Sequence, residues 1–502
     1  MRRFPFRGPK GAAVWLVLLA LGLSAGAAHA ELQVGFAREV ITPPVPDAWT
    51  DLDGDGRRSP EEPWQDGNGN GRFDPVHMAG FHNGRPAAGI HDELFAVAVV
   101  IDDGTSKVGL VAADVVGLSN GFARELRARL PAELGLDYLL VHATHNHQGP
   151  DTQGLWGASR FRSGLAEGTH ERLWTRMIAA LERAHAAREP ARLDAGEVPG
   201  MGPRLGLDDT RPPRVIDDAL RILVARRADH SVIGTIVNFG VHVEILWDQN
   251  LFLTADVAGY AREGISRGLV YDDGLWEPGL GGTTLWLTGN IGGLITTLPS
   301  TPVVDPRDGK AVATPSFEKA RAQGYAIARA VRRAAEQGRL VPVEDPILGI
   351  HRRTVTVPIA NLPLVLGSVI GLLDRDLRWA RGIATDSEVG LLTLGDVWLA
   401  AIPGELYPEL AIGGVTQLPG ADFELEPAEV PPLRDAMGGR VNLMVNLAND
   451  ALGYLIPRSH WDDEAPWLEG AEEETYGEIV SAGPETAGIV HRALLELFAE
   501  AD

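Results

Sequence analysis

The chain has 502 residues, of which 45% are hydrophobic and 23% charged, with a formal net charge of −23 and no cysteine. This composition is typical of a globular protein with a large core and excludes a disordered chain. The acidic balance excludes nucleic acid as a default partner, since phosphate binding needs a basic surface. The lack of cysteine excludes disulfides, thiolate metal ligands and cysteine nucleophiles.

Residues 1–30 have the features of a secretory signal peptide. Basic side chains at the start precede a short apolar run over 12–25, and Ala28-His29-Ala30 is a small-x-small cleavage site. We therefore expect export to the periplasm or the cell exterior, with a mature catalytic domain over 31–502. Every later apolar run is interrupted before it reaches the ~20 residues that span a bilayer, so no transmembrane segment is expected.

The segment 47–77 is rich in Asp, Gly, Asn and Pro and is predicted to be an inserted calcium-binding loop. Its acidic and amide side chains follow the ligand spacing of an EF-hand loop twice. The first set is Asp51, Asp53, Asp55 and Glu62, and the second is Asp66, Asn68, Asn70 and Asp74. His77 stands where the second loop should have its glutamate, which predicts a weaker second ion. The alternative is a solvated acidic loop without calcium.

Strands and helices then alternate along the chain. Hydrophobic runs predict strands over 32–41, 94–101, 107–112, 138–141, 220–225, 232–239, 283–288, 353–359, 389–394 and 397–402. Spacing and capping residues predict helices over 119–130, 171–188, 315–337 and 485–500. The predicted class is α/β, with one large mixed-sheet domain, parallel and antiparallel pairing, and helices packed on the sheets.

Four of the predicted strands lead directly into polar segments. His145 and His147 follow the strand 138–141, His242 follows 232–239, Asn290 follows 283–288, and Glu405 follows 397–402. Ligands in open α/β sheets bind outside the carboxyl ends of the strands, so these segments are expected to share one site.

Two histidines and a carboxylate are the ligand pattern of hydrolytic zinc, which leaves a position open for water. The spacing of two between His145 and His147 places both imidazoles on one side of an extended segment. Each residue also has a plainer interpretation. His-x-His pairs occur by chance, a lone histidine after a strand is often structural, and Glu405 would interact favourably with a helix dipole without any catalytic role.

Several motifs together resemble the neutral ceramidase family. They occur in the family's order from about residue 33 to 490: Ile41-Thr42-Pro43-Pro44, Gly89-Ile90-His91-Asp92, His142-Ala143-Thr144-His145-Asn146-His147-Gln148-Gly149-Pro150, Asn238-Phe239-Gly240-Val241-His242, Ala255-Asp256-Val257-Ala258-Gly259-Tyr260-Ala261-Arg262, Pro403-Gly404-Glu405, and Asn449-Asp450 with Gly453-Tyr454. The order of the set is more specific than any single motif.

The resemblance implies a zinc-dependent amidohydrolase that converts ceramide to a fatty acid and sphingosine. His145, His242 and Glu405 would be the zinc ligands. His147 would act beside the metal on the reacting oxygen, and Tyr454 would be a second catalytic side chain. Zinc chemistry needs no protein nucleophile, because the ion lowers the pKa of bound water and polarises a carbonyl. The expected partners are a lipid or small N-acyl substrate and, transiently, a membrane surface.

The chain departs from the family pattern at positions close to these motifs. Ala451 stands where the family has a tyrosine ligand, Gln148 replaces Ser, Val243-Glu244 replaces Pro-Thr, and Gly293 occupies a position where Asp is favoured. These differences leave two alternatives open. One is a zinc hydrolase acting on another N-acyl or ester substrate, and the other is a calcium-stabilised secreted binding protein with a decayed site.

Overall fold

The computed structural model describes residues 31–379, 382–423 and 425–501, together with Met1 and Pro5. The predicted signal peptide therefore lies, apart from those two residues, outside the described residues.

The elements are numbered in chain order. The strands are β1 Gln33–Val40, β2 Asp47–Trp49, β3 Trp64–Asp66, β4 Gly89–Ile90, β5 Phe95–Asp102, β6 Lys107–Ala113, β7 Tyr138–Ala143, β8 Glu189–Pro190, β9 Arg192–Val198, β10 Leu220–Arg226, β11 Val232–Phe239, β12 Phe252–Leu253, β13 Gly268–Tyr271, β14 Gly274–Pro278, β15 Thr283–Thr288, β16 Val303–Val304, β17 Ala311–Val312, β18 Val341–Pro342, β19 Leu348–Pro358, β20 Arg378–Trp379, β21 Ile383–Leu394, β22 Val397–Ala401, β23 Glu405–Leu406, β24 Val441–Val445 and β25 Tyr454–Leu455. The helices are α1 Asn120–Ala128, α2 Thr169–Ala186, α3 Gly202–Leu205, α4 Asp256–Ser266, α5 Phe317–Glu336, α6 Leu362–Val369, α7 Pro408–Ile412 and α8 Thr486–Ala501.

Three mixed sheets form the body of the protein. Their strand orders are β7-β6-β5-β1-β8, β15-β11-β10-β9-β18 and β19-β21-β22-β24, with β20 added beside β21. Each sheet has one parallel pair: β6 with β7, β11 with β15, and β22 with β24. All other pairs in these sheets are antiparallel. The expected α/β class with mixed pairing is confirmed.

One central core is built from the inner faces of all three sheets. It includes Val99 of β5, Leu285 of β15 and Leu443 of β24, all fully buried. Alternate residues of the same strands point outward, because successive side chains of a strand lie on opposite faces. There they pack against helices: α1 and α2 cover the first sheet, α4 and α5 the second, and α8 the third.

Two of the predicted helices begin at a serine cap. Ser119 precedes α1 and accepts a hydrogen bond from the Phe122 N–H at 3.0 Å, and Ser316 caps α5 in the same way. The helix α4 was not predicted. Its sequence contains Gly259 and Gly264, which lower helix propensity, and it forms because most of its side chains are buried between β15 and α5.

The acidic segment 47–77 pairs with itself and contacts the body at its end. β2 pairs antiparallel with β3, both within the segment, and the backbone of His77 bridges to Pro86. Among the described residues, none of the helices is both long enough and apolar enough to cross a membrane.

Candidate metal centre

Loops that follow buried strands of all three sheets meet at one point. His145 and His147 lie after β7, His242 after β11, and Glu405 after β22. The first two loops are tied together, since the His147 N–H donates to the Val243 carbonyl at 3.0 Å. The structure therefore brings the four side chains together at the carboxyl ends of the strands.

Asn290, at the fourth predicted strand end, supports the site through hydrogen bonds and does not face the four side chains. The Asn290 side chain donates to Asp217 at 2.8 Å and accepts from Asn446 at 3.1 Å. Asn446 in turn accepts the N–H of Leu406 at 2.6 Å. This chain of hydrogen bonds holds the backbone immediately after Glu405.

Two imidazoles present lone pairs to the carboxylate of Glu405. Nδ1 of His145 lies 2.8 Å from the Val116 carbonyl oxygen, and Nδ1 of His242 lies 3.0 Å from that of Ile295. A carbonyl only accepts, so in each neutral ring Nδ1 carries the proton and Nε2 has the free lone pair. These Nε2 atoms lie 3.4 and 3.3 Å from Oε2 of Glu405. Three acceptors facing one another are stabilised by a cation.

The spacing of these atoms fits one small metal ion. Ligands about 2.0–2.1 Å from a tetrahedral zinc are about 3.3 Å apart. Oε2 of Glu405 is buried and has no hydrogen-bond partner, as expected of an atom whose partner is an ion. Burial raises the pKa of Glu405, but His145 and His242 outweigh it and hold that pKa well below its usual range.

A proton competes with the cation for this centre. Burial lowers the pKa of His242, but the contact with Glu405 and the charges of Glu244 and Glu405 bring it above its ordinary value. Acid therefore favours protonated His242 over a metal-bound imidazole.

His147 faces the same centre and has a carboxylate behind it. Its Nε2 lies 3.1 Å from Nε2 of His145, and its Nδ1 lies 3.1 Å from Oε2 of Glu244. Burial lowers the pKa of His147 to about 4, so the ring is neutral at pH 7. Burial raises the pKa of Glu244, but the charge and hydrogen bond of His147 bring it down to about 2. Sequence reasoning noted Glu244 only as a departure from the family. Its signal was a charged residue in the apolar run Val241–Leu246, two positions after His242.

Tyr454 reaches this cluster and Ala451 does not. The Tyr454 hydroxyl lies 3.4 Å from Nε2 of His242. Burial raises the pKa of Tyr454 well above its usual value, so the hydroxyl remains a donor at neutral pH. Ala451 packs beside Gly117, where a Cβ would come within 2.9 Å of the alanine methyl. The methyl offers no ligand atom at this position.

The space beside Gly293 is filled by another carboxylate. Gly293 has a φ of +76°, and a Cβ there would lie 2.6 Å from Oδ1 of Asp209. Asp209 accepts the N–H groups of Arg211 and Val215, and burial raises its pKa to about 7. An acidic group thus occupies the place where the family favours an aspartate side chain.

The two acidic loops have matching backbone geometry. In the first, Asp51 accepts the N–H of Gly54 at 2.7 Å and of Gly56 at 3.0 Å. In the second, Asp66 accepts those of Gly69 at 2.6 Å and Gly71 at 2.7 Å.

The predicted ligands of the first loop converge. Carboxylate oxygens of Asp51, Asp53 and Asp55 lie within 4.8 Å of one another. Glu62 is oriented by the N–H groups of Leu52 and Ser59. In the second loop, Asn68 and Asn70 both donate to Asp74. His77 at its end is buried, which lowers its pKa to about 4.

Comparison with known proteins gives matches among solved structures alone. No family model and no curated protein matches the chain. The structure of neutral ceramidase from Pseudomonas aeruginosa matches with a TM-score of 0.63 at 17% identity, over 94% of this chain and 74% of that one. A ceramidase complexed with C2 matches with a TM-score of 0.64 at 17% identity, over 94% of this chain and 75% of that one. The protein has the fold of these ceramidases, and the resemblance found in the sequence is confirmed at that level.

Proposed function

We propose that this protein is an exported, zinc-dependent amidohydrolase that cleaves the N-acyl bond of ceramide to give a fatty acid and sphingosine. The observation that carries the proposal is the meeting of His145, His242 and Glu405, three acceptors spaced as ligands of one ion. The fold shared with neutral ceramidase supports the reaction class.

Zinc at this centre would supply an activated water and polarise the substrate carbonyl. His145 and His242 would bind it through Nε2, because their Nδ1 protons are held by backbone carbonyls. Glu405 would contribute the negative charge. The Tyr454 hydroxyl would donate a hydrogen bond to the oxygen on which charge develops, and its high pKa keeps the proton in place.

A path of aromatic rings supports a bulky substrate. The ring of Tyr454 lies 5.7 Å from that of Tyr476, which is 54% exposed. The ring of Tyr454 also lies 6.5 Å from that of His242, so this row of rings extends from the cluster to the protein surface. A substrate bound against these rings would contact apolar ring faces with hydroxyl groups at their edges, which suits a lipid with a polar head.

Exposed apolar residues beside this path support a lipid as the substrate. Leu362 and Leu366 of α6, and Ile370 directly after this helix, are exposed by 65%, 62% and 65%. Asn361, at the start of this helix, donates to the carbonyl of Ile479, whose side chain is also exposed. Apolar surface of this kind favours transient contact with a membrane or micelle.

Calcium is proposed for the loop of Asp51, Asp53, Asp55 and Glu62, with a weaker ion at Asp66, Asn68, Asn70 and Asp74. The support is the convergence of the Asp51, Asp53 and Asp55 carboxylates in the first loop and the matching backbone hydrogen bonds of both loops. Calcium there would be a structural ion, since the loops contribute no side chain to the histidine cluster.

Metal analysis of purified protein, followed by a ceramide assay, tests the proposal. Protein supplied with zinc should retain one zinc per chain, and the Glu405→Ala variant should lose it. The loaded enzyme should release fatty acid from N-acylsphingosine in detergent. Absence of stoichiometric metal would refute the proposal that the protein is a zinc-dependent enzyme. Hydrolysis of a simple N-acyl amino acid, with none on ceramides of any chain length, would refute the lipid substrate alone.

A further inference from the structure

The imidazole of His147 is held from several sides. A Cβ on Gly80 would lie 2.5 Å from its Nδ1, so the backbone of Gly80 closes one side of the ring. The ring of Phe81 packs edge-on at 5.4 Å, and Arg85 donates to the His147 carbonyl at 2.6 Å. These contacts leave the ring little freedom to turn.

The fixed ring leaves one direction for each nitrogen. Nδ1 lies 3.1 Å from the carboxylate of Glu244, an acceptor, and we assign the proton of the neutral ring to this nitrogen. Nε2 then has its lone pair toward Nε2 of His145, 3.1 Å away. Nε2 of His145 is also an unprotonated acceptor, because Nδ1 of the same ring donates to the Val116 carbonyl.

Two lone pairs at this distance point to a shared cation. A side chain acting on the substrate through a water would stand farther from a ligand atom, with the water between them. Ligands of one tetrahedral zinc are about 3.3 Å apart. One ring nitrogen from each of His145, His147 and His242 lies within 4.8 Å of the other two.

We propose that Glu244 is a positioning residue that makes His147 a third imidazole ligand of the metal. Ala451 removes the tyrosine ligand implied by the resemblance, and the Glu244–His147 pair supplies another donor in its place. A carboxylate on the outer nitrogen of a metal-bound histidine fixes its tautomer and raises its basicity. The inference rests on the proposed zinc centre and assigns His147 to the metal rather than to the substrate.

Zinc affinity and the visible spectrum of cobalt-substituted protein test this assignment. Competition with a chromophoric chelator should show about 10–100-fold weaker zinc binding in Glu244→Gln, and a larger loss in His147→Ala. The cobalt(II) absorption bands, which respond to the ligand set, should change in both variants. Gly80→Ala, which forces the ring to move, should change the bands in the same way.

A second buried pair in the protein provides the control. Nδ1 of His460 lies 3.1 Å from Oε1 of Glu409, and both side chains are at most 1% exposed. Glu409→Gln should therefore cost similar stability but leave the cobalt spectrum and zinc affinity unchanged.

The possible outcomes separate the two proposals. Unchanged affinity and spectrum in both His147→Ala and Glu244→Gln would overturn the ligand assignment while leaving zinc at His145, His242 and Glu405. Equal effects of Glu409→Gln and Glu244→Gln on the cobalt spectrum would also overturn it. Failure of the wild-type protein to bind either metal would instead refute the proposed function.

Discussion

The ion pair between Arg262 and Asp114 gives the most direct test of how the loop that carries His145 is supported. The two terminal guanidinium nitrogens of Arg262 each lie 2.6 Å from a carboxylate oxygen of Asp114, and the two side chains are 6% and 0% exposed. Asp114 also accepts the N–H of Phe95 at 2.8 Å. It directly follows β6, next to the strand that leads to His145.

Removing the arginine should be costly because the carboxylate stays behind. An uncompensated buried charge destabilises a protein by about 3–5 kcal/mol, and we expect Arg262→Ala to lower the free energy of unfolding by that amount. Arg267 directly follows the same helix and pairs with Glu263 at 3.0 Å, but its side chain is 67% exposed. Arg267→Ala should cost less than about 1 kcal/mol.

Urea denaturation at pH 7 in a chelator, followed by tryptophan fluorescence, would measure both losses without a metal contribution. A double variant, Asp114→Asn with Arg262→Met, should recover part of the loss, since it removes both charges. If Arg262→Ala costs no more stability than Arg267→Ala, the ion pair of Arg262 with Asp114 does not stabilise the fold. Failure of the double variant to recover stability would show that the geometry, rather than the charge, matters.

Three further predictions concern calcium, pH and the substrate. Calcium should raise the melting temperature over that in a calcium-selective chelator, and Asp51→Ala should abolish the difference while zinc is retained. Free calcium at a hundred times its Kd would raise the free energy of unfolding by about 2.7 kcal/mol. As the pH rises from 4 to 7, the free energy of unfolding of the wild type should fall by up to about 1.4 kcal/mol per pH unit relative to that of Asp209→Asn. The reason is that folded Asp209, with a pKa of about 7, keeps a proton that the unfolded chain releases. Parallel stability curves for the two proteins would contradict this. Trp156 follows the segment of His145 and His147 in the sequence and is the proposed contact of the acyl chain. Trp156→Ala should raise KM more for long acyl chains than for short ones, since each buried CH₂ is worth about 0.8 kcal/mol; equal losses would assign Trp156 to packing.

Strand ends were predictable because long apolar runs define them. β7, β11 and β22 are buried on both faces and therefore appear as continuous hydrophobic segments, and the residues that follow them converge in the structure. The prediction that their exits share one site needed no knowledge of long-range contacts.

Elements and partners set by tertiary contact were not predictable in the same way. β24 was missed, although it pairs in parallel with β22 and completes the third sheet. The role of Glu244 depends on how the loop after β7 lies against the loop after β11, which no local pattern encodes. Asp209 and Gly293 are likewise far apart in sequence and in contact only after folding.

The departures from the family motifs bear on whether the site is a decayed one. Two of the departures, Ala451 and Gly293, have ionisable groups nearby: the pair of Glu244 and His147 in the histidine cluster, and Asp209 in the space beside Gly293. A site without an ion would also be expensive to keep. Burying His145, His242 and Glu405 as mutually facing acceptors costs free energy that apolar side chains of the same size would not. A bound cation would offset this cost, which favours the proposed metal centre over a binding protein with an inherited remnant.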